Sequence, residues 1–239
     1  IVIGVDSSTQ STKAIAWDMK GKAIAEGRCD IPLSNPSLEK FEQNVDDWWK
    51  AFCISCQELS KQIDVNEVDG LAISNQRETL AKLDSNGKAV YPATVWMDKR
   101  SVQEVEDLNS IMGEDRIHEI TGRPKDPCPC LYRVLWLKNN EKEIFDKIEC
   151  FADVQAFLIF KLTGEFKTGW ISSDPHGMFD VVNKCWSNEI LEQLEINESR
   201  LPKSYRPGTL LGEINDSASK ETGLKKGTPI FAAGGDGQL

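Results

Sequence analysis

Three polar clusters interrupt the apolar runs of this chain: Asp6-Ser-Ser-Thr-Gln-Ser-Thr12, Asn75-Gln-Arg-Glu-Thr79 and Gly234-Gly-Asp-Gly237. The first follows an apolar strand and concentrates hydroxyls and backbone amides, a composition that can cradle phosphate. Asp6 is the candidate to face Mg²⁺ through water, with Thr9, Gln10 and Ser11 as donors to terminal phosphates and Lys13 adding positive charge. An ordinary turn is the competing reading, because Asp, Ser and Thr are turn formers. In the second cluster, amide, guanidinium and carboxylate groups crowd a strand end, where burial is costly unless they satisfy each other or a polar ligand. An Arg77–Glu78 ion pair would satisfy them internally. The adjacent hydroxyls of a polyol, each donating and accepting, match the same pattern. Trp96, at the end of the next strand, is either core or a flat apolar wall for the carbons of such a ligand. In the third cluster, glycines let a ligand approach a carboxylate, and Asp236 is placed to take the proton of an attacking hydroxyl. A dinucleotide loop fits poorly there, since the G-x-G-x-x-G spacing is not met.

The elements that must hold these clusters are legible as periodicities. Residues 1–5, 13–17 and 23–28 read as strands of an antiparallel meander, with Asp18-Met-Lys-Gly21 as a turn. After a Pro/Ser/Asn stretch at 32–36, Val45, Trp48, Trp49, Phe52, Cys56, Leu59 and Ile63 recur at helical spacing, with Asn44 as N-cap and Asp46 and Asp47 in the first turn. Strands are expected at 68–74, 79–83, 89–95 and 229–233, and helices at 98–112, 131–140, 151–162 and 189–194. Residues 123–130 form a proline-rich loop. No period of 20 to 50 residues repeats. Strands first, then helix mixed with strand, indicate an α/β domain.

At 239 residues with 40% hydrophobic positions, the chain is long enough for one large folded domain or two smaller ones. Its net charge of −10 gives no basic surplus for a nucleic-acid backbone or an anionic membrane, so neither partner is expected. No run approaches the roughly 20 apolar residues of a membrane span, nor does the N-terminus resemble a secretion signal. A cytoplasmic setting follows. The 7 cysteines are an odd number for a disulfide framework, and Cys53-Ile-Ser-Cys56 lies within a helical pattern, so buried reduced thiols are expected rather than a metal site. The chain opens without methionine in one apolar strand and closes just after another, which suggests a fragment.

Taken together and in order, Gly4-Val-Asp-Ser-Ser-Thr-Gln-Ser-Thr-Lys13, Asn75-Gln-Arg-Glu-Thr79, Val95-Trp-Met-Asp-Lys-Arg100 and Gly234-Gly-Asp236 resemble the N-terminal domain of FGGY carbohydrate kinases over essentially the whole chain. The resemblance implies a ribonuclease H-like fold of the actin and hexokinase type, a mixed sheet flanked by helices. Residues 1–239 would form the sugar-binding domain, with the C-terminal nucleotide-binding domain absent from this chain. It also implies ATP and Mg²⁺ as cofactors, a small sugar or polyol as substrate, and the C-terminal domain and a second copy as protein partners. By the same resemblance Asp6 assists the metal, while Thr9, Gln10, Ser11 and Lys13 meet the nucleotide phosphates. Arg77, Glu78 and Trp96 line the sugar site, and Asp236 is the base. Glycine is usual in the family where Ser8 stands, and arginine is frequent at Lys13. The second cluster is glycerol-kinase-like and the first xylulokinase-like. Asp126-Pro-Cys128 stands where glycerol kinases carry a substrate-contacting tyrosine, which puts pentuloses ahead of glycerol. Ser173-Asp-Pro-His-Gly177 departs from the small-residue pattern common at that point, and His176 is expected to be a loop histidine. The expected reaction is γ-phosphoryl transfer from ATP to a substrate hydroxyl by the intact parent, the fragment alone being inactive. A non-catalytic binding module or an actin-like assembly protein is the alternative on the same fold.

Overall fold

Alternation in the first segment buries Ile3, Val5 and Ser7 on one face of a strand, Val2–Ser7, and turns Gly4 and Asp6 to the other. In the computed structural model, which describes residues 1–238, this strand pairs antiparallel with Ser11–Trp17, and that one with Ala23–Asp30. Leu239, the last position of the expected domain, lies outside the described residues. The strands run further into the polar segment than its composition suggests. Asp6 pairs with Lys13 and Ser7 with Thr12, so the loop shrinks to residues 8–10. The physical reason is local: the Ser7 and Thr12 hydroxyls satisfy one another at 3.1 Å in a buried position. The expected turn at Asp18 is present, its carboxylate accepting from the amides of Lys20 and Lys22.

Gly70–Asn75 joins the meander in parallel, Pro229–Phe231 adds a further parallel strand, and Leu210–Glu213 closes that edge antiparallel. The result is a mixed six-stranded sheet in the order 210–213, 229–231, 70–75, 2–7, 11–17, 23–30. Helix Val45–Ser60 lies on the meander, burying Val45, Trp48, Trp49, Phe52, Cys56 and Leu59. Asn44 caps it, accepting from the Asp46 amide at 3.0 Å. Helix and strand approach so closely that a Cβ on Gly27 would overlap the Ser55 carbonyl oxygen. Cys53 and Cys56 lie on this buried face, and burial pushes the Cys53 thiol up to about 12 and Cys56 higher still, as expected for inert thiols.

A second, antiparallel sheet has the order 34–37, 40–43, 89–94, 80–83, 150–152. Its edge hairpin, Ser34–Ser37 with Lys40–Gln43, begins within the Pro/Ser/Asn stretch, where no strand is expected, and Pro36 is tolerated because it lies on an edge strand. The apolar run at 151–162 is likewise divided. Cys150–Ala152 is a strand, Asp153 accepts from the Ala156 amide as an N-cap, and the helix is Val154–Thr163. The helix expected from residue 98 starts at Val102 instead, because Asp98 is engaged by Arg100 and by the Phe41 amide. A second apolar core lies among helices Val102–Met112, Glu114–Thr121, Cys130–Asn140 and Asn188–Leu194. Among the described residues no helix is long and apolar enough to cross a membrane.

Gln155, fully buried, donates to the Ile73 carbonyl at 2.6 Å and accepts from the Gly169 amide at 2.7 Å, tying the main sheet to the segment that follows its covering helix. Gln155→Leu leaves both backbone groups without their partner, at a cost of about 1–3 kcal/mol each. Urea unfolding should report a loss in this range with an unchanged m-value; stability equal to wild type would show that water replaces the amide.

Candidate functional site

Parallel pairing carries three strands to one end of the sheet. Ser7 stands opposite Asn75, and an isolated parallel bridge places Asn75 opposite Gly235. The loops after these strands therefore meet in one crevice, the usual position for a ligand on such a sheet. Asp6, Arg77, Glu78 and Asp236 come from separate parts of the sequence and are brought together there. Gly235 explains part of the closeness. A Cβ on it would lie 2.5 Å from Arg77 Cγ, and one on Gly234 would lie 2.5 Å from a methyl of Ile171. The Arg77 side chain thus lies across the backbone that presents Asp236, which is itself exposed.

Asp6 is half-buried, and among the described residues its Oδ1 has no hydrogen-bond partner. Burial pushes its carboxyl above the ordinary range; a hydrogen bond with Ser74 opposes this, and the nearby Asp236 carboxylate adds to it. A carboxylate with an orphaned buried oxygen beside a second carboxylate fits a cation. Among the described residues no three His, Cys, Asp or Glu side chains form a metal cage. A site of one or two carboxylates completed by water and phosphate oxygens is the mode Mg²⁺ uses.

The hairpin tip is held from beneath. Gln43 donates to the Thr9 carbonyl at 2.7 Å, and its Oε1 accepts from Trp48 at 2.9 Å and from Gln76 at 2.8 Å. Gln76 in turn accepts from the Thr79 hydroxyl at 3.1 Å. All four of these side chains are buried, so one amide network sets both the tip and the 75–79 loop. Gln43 carried no sequence signal for this role. Gln10 is exposed, whereas Ser11 is buried and its carbonyl accepts from both the amide and the hydroxyl of Ser8. Lys13 pairs with Glu26 at 3.0 Å.

Arg77 and Glu78 belong to a larger group. Arg123 donates from Nη1 to Glu78 at 3.2 Å, and from Nε and Nη2 to Asp174 Oδ1 at 3.1 and 2.7 Å. Arg77 Nη2 lies 3.5 Å from both Glu78 and Asp174. Burial pushes Glu78 up, more than Arg77 and Arg123 pull it down. Its backbone sits at φ +46°, a left-handed conformation that costs energy for a residue with a Cβ. The fully buried Arg133 donates to the Glu78 carbonyl and to Cys130 Sγ, bracing that conformation. Both carboxylates and both guanidiniums border a cleft of about 530 Å³ or support its wall, with Trp170, Ile171 and Phe179 as apolar lining. Arg123 and Asp174 were missed as site residues. The one available signal was an arginine after the helix-ending Gly122 and an aspartate in the unusual 173–177 segment.

Trp96 is not among the residues lining this cleft. Its indole donates to the Thr9 hydroxyl at 3.2 Å, and it lines a neighbouring groove of about 350 Å³ with Phe41, Met97, Pro127 and Cys128. His176 is not a loop histidine but a buried one, 3.5 Å from Asp153 and edge-on to Trp186, because the turn that carries it packs into the second core.

Residues 1–239 match the model described as FGGY family of carbohydrate kinases, N-terminal domain. The chain is 27% identical to xylulose kinase of Escherichia coli (strain K12) over 98% of its own length and 48% of that protein's. It is 29% identical to glycerol kinase of Thermococcus kodakarensis over 98% and 50%. The solved structure of ligand-bound xylulose kinase from Lactobacillus acidophilus superposes with a TM-score of 0.93 at 27% identity, over 99% of this chain and 48% of that one. These likenesses bear out the expected mixed-sheet fold, and the chain spans about half the length of the curated relatives it matches.

The contact between Gly235 and Arg77 is testable without any ligand. Gly235→Ala should destabilise the domain by about 1–3 kcal/mol through overpacking, and the cost should shrink in an Arg77→Ala background, where the methyl group has room. Denaturation of the two singles and the double checks this. An equal cost in both backgrounds would place the strain elsewhere than at Arg77.

Proposed function

We propose, from the premise that this chain belongs to the FGGY family of carbohydrate kinases, that the protein of which it forms the sugar-binding part transfers the γ-phosphoryl group of ATP to a hydroxyl of a small sugar or polyol. The observation that carries this reading is the convergence of Asp6, Asp236 and the Arg77–Glu78 pair on one crevice, from loops far apart in sequence. Asp236 is exposed among glycines and takes the proton of the attacking hydroxyl. Arg77 and Glu78 orient that substrate by donating to and accepting from its hydroxyls. The hydroxyls and amides at Thr9, Gln10 and Ser11 receive the terminal phosphates, with Lys13 contributing charge once released from Glu26. Asp6 would be the residue that holds Mg²⁺, and the cation would supply neutralisation of charge on the phosphates. In this scheme most of the catalysis is positioning and charge neutralisation, which phosphoryl transfer requires above all.

A pentulose is favoured over glycerol. Cys128, beside Trp96 in the neighbouring groove, supplies no hydroxyl of the kind a tyrosine would give at that place. The relatives named xylulose kinase, and the resemblance of the Asp6–Lys13 segment to xylulokinases, support the same order. The adenine contacts belong to a C-terminal domain that would be this domain's partner, and closure of the two would exclude water from the crevice. Residues 1–239 alone then bind sugar weakly and turn nothing over.

Asp236→Asn in the full-length protein should reduce sugar-dependent ADP release by at least about a thousandfold, consistent with loss of a general base, while calorimetry shows sugar binding within about threefold of wild type. Turnover close to wild type would remove Asp236 from the mechanism.

A further inference from the structure

The Arg77–Glu78 pair accounts for only part of the charge in the large cleft. Arg123 and Asp174 make a second guanidinium–carboxylate couple, joined to the first through Glu78 Oε1 and through Arg77 Nη2. We propose that Arg123 and Asp174 are specificity-determining residues that read the hydroxyls farther from the reacting end, so that the site selects a neutral polyhydroxylated chain longer than three carbons. This rests on the kinase reading above and sharpens its substrate class.

Order along the cleft supports it. Gly235 and Gly237 pack against Arg77, and Gly234 against Ile171, so the Asp236 end of the cleft lies at Arg77 and Ile171. Arg123 follows Gly122, which lies against Val181 on the cleft lining; it shares Glu78 Oε1 with Arg77 and takes the other oxygen of Asp174, at 3.2 and 2.7 Å where Arg77 stays at 3.5 Å. A contact of 3.5 Å gives little as a hydrogen bond. A hydroxyl entering beside Arg77 can therefore accept from the guanidinium and donate to a carboxylate without breaking a strong bond. All four side chains keep 16–19% of their surface exposed, enough to meet a ligand and too little to be freely solvated.

Charge decides between ligand classes. Two guanidiniums face two carboxylates, so the tetrad is neutral in sum. A sugar acid would bring its own carboxylate against Glu78 and Asp174, and Lys184, a further cation on the lining, donates to the Val181 carbonyl. Hydroxyls, which donate and accept in the same place, suit alternating charges better. A three-carbon polyol would satisfy Arg77 and Glu78 and leave Arg123 and Asp174 to each other. A longer chain engages both pairs.

The test uses the full-length protein, ATP and a panel of D-xylulose, D-ribulose, xylitol, glycerol and D-gluconate, with Arg123→Met, Asp174→Asn and the conservative Arg123→Lys. For the preferred five-carbon acceptor, Arg123→Met and Asp174→Asn should raise KM about tenfold or more with kcat within about twofold, and Arg123→Lys should recover part of the loss. The proposal is overturned if KM stays unchanged, if kcat falls in step with melting temperature as for a purely structural brace, or if wild type prefers D-gluconate. Absence of ADP release from wild type with every acceptor would instead sink the kinase reading. Calorimetric binding of D-xylulose then decides the pair separately: weakening in Arg123→Met supports it, and unchanged affinity overturns it.

Discussion

The parallel register that sets Ser7 opposite Asn75 and Asn75 opposite Gly235 fixes where every charged group of the crevice can stand. A slip of one residue would turn Asp6 into the apolar face beneath the sheet and bring Val5 out of it. Register is secured on that buried face by Ile3, Val5, Leu71, Ile73 and Ile230, packed under helices Val45–Ser60 and Val154–Thr163. The apolar core thus determines the geometry of the polar edge. Gly235 completes the arrangement, since a side chain there would displace the very arginine that borders the cleft.

Several polar groups are buried around this edge and in the second sheet, most of them held by hydrogen bonds to named partners. Gln43, Gln76, Thr79 and Trp48 close a network among themselves. Lys82 is fully buried and donates to Thr94 and to the Pro92 carbonyl; burial, with Arg100 and Arg133 nearby, holds it well below the ordinary lysine range. The strained Glu78 backbone is braced by Arg133, whose Nε and Nη1 have no partner of their own among the described residues. An apolar residue at position 133 would relieve those orphaned donors, yet it would leave the Glu78 carbonyl without its brace. Stability and preorganisation conflict here, and the sequence keeps the arrangement that fixes Glu78.

What the sequence revealed follows from the range of the signals. Asn44 as a cap, the three-stranded meander and the glycine-flanked Asp236 are local patterns, readable within a few residues. The tetrad is not local. Arg123 lies 45 residues from Glu78 and 51 from Asp174, so neither periodicity nor turn chemistry could pair them. The apolar run through Phe151 misled for a different reason, since buried strand and buried helix share one composition and only the capping role of Asp153 separates them. The hairpin at Ser34–Gln43 was hidden by proline and serine, which favour loops in general but are tolerated on an edge strand.

Trp96 shows how the two halves of the site are joined. Its position after the strand that follows the Asn75–Thr79 cluster suggests a wall for ligand carbons, yet its indole N–H is given to the Thr9 hydroxyl at the hairpin tip. The same tip is held through the Thr9 carbonyl by Gln43, which is also bonded to Gln76 beside Arg77. A ligand that claims the Thr9 hydroxyl must share it with Trp96 or displace it, and movement of either residue is felt along the amide network at the 75–79 loop. Repulsion between Asp6 and Asp236 acts in the same place, and positive charge relieves it. The domain is therefore least comfortable where it is most specific, and a ligand carrying a cation and hydroxyls together supplies the partners that its own side chains withhold.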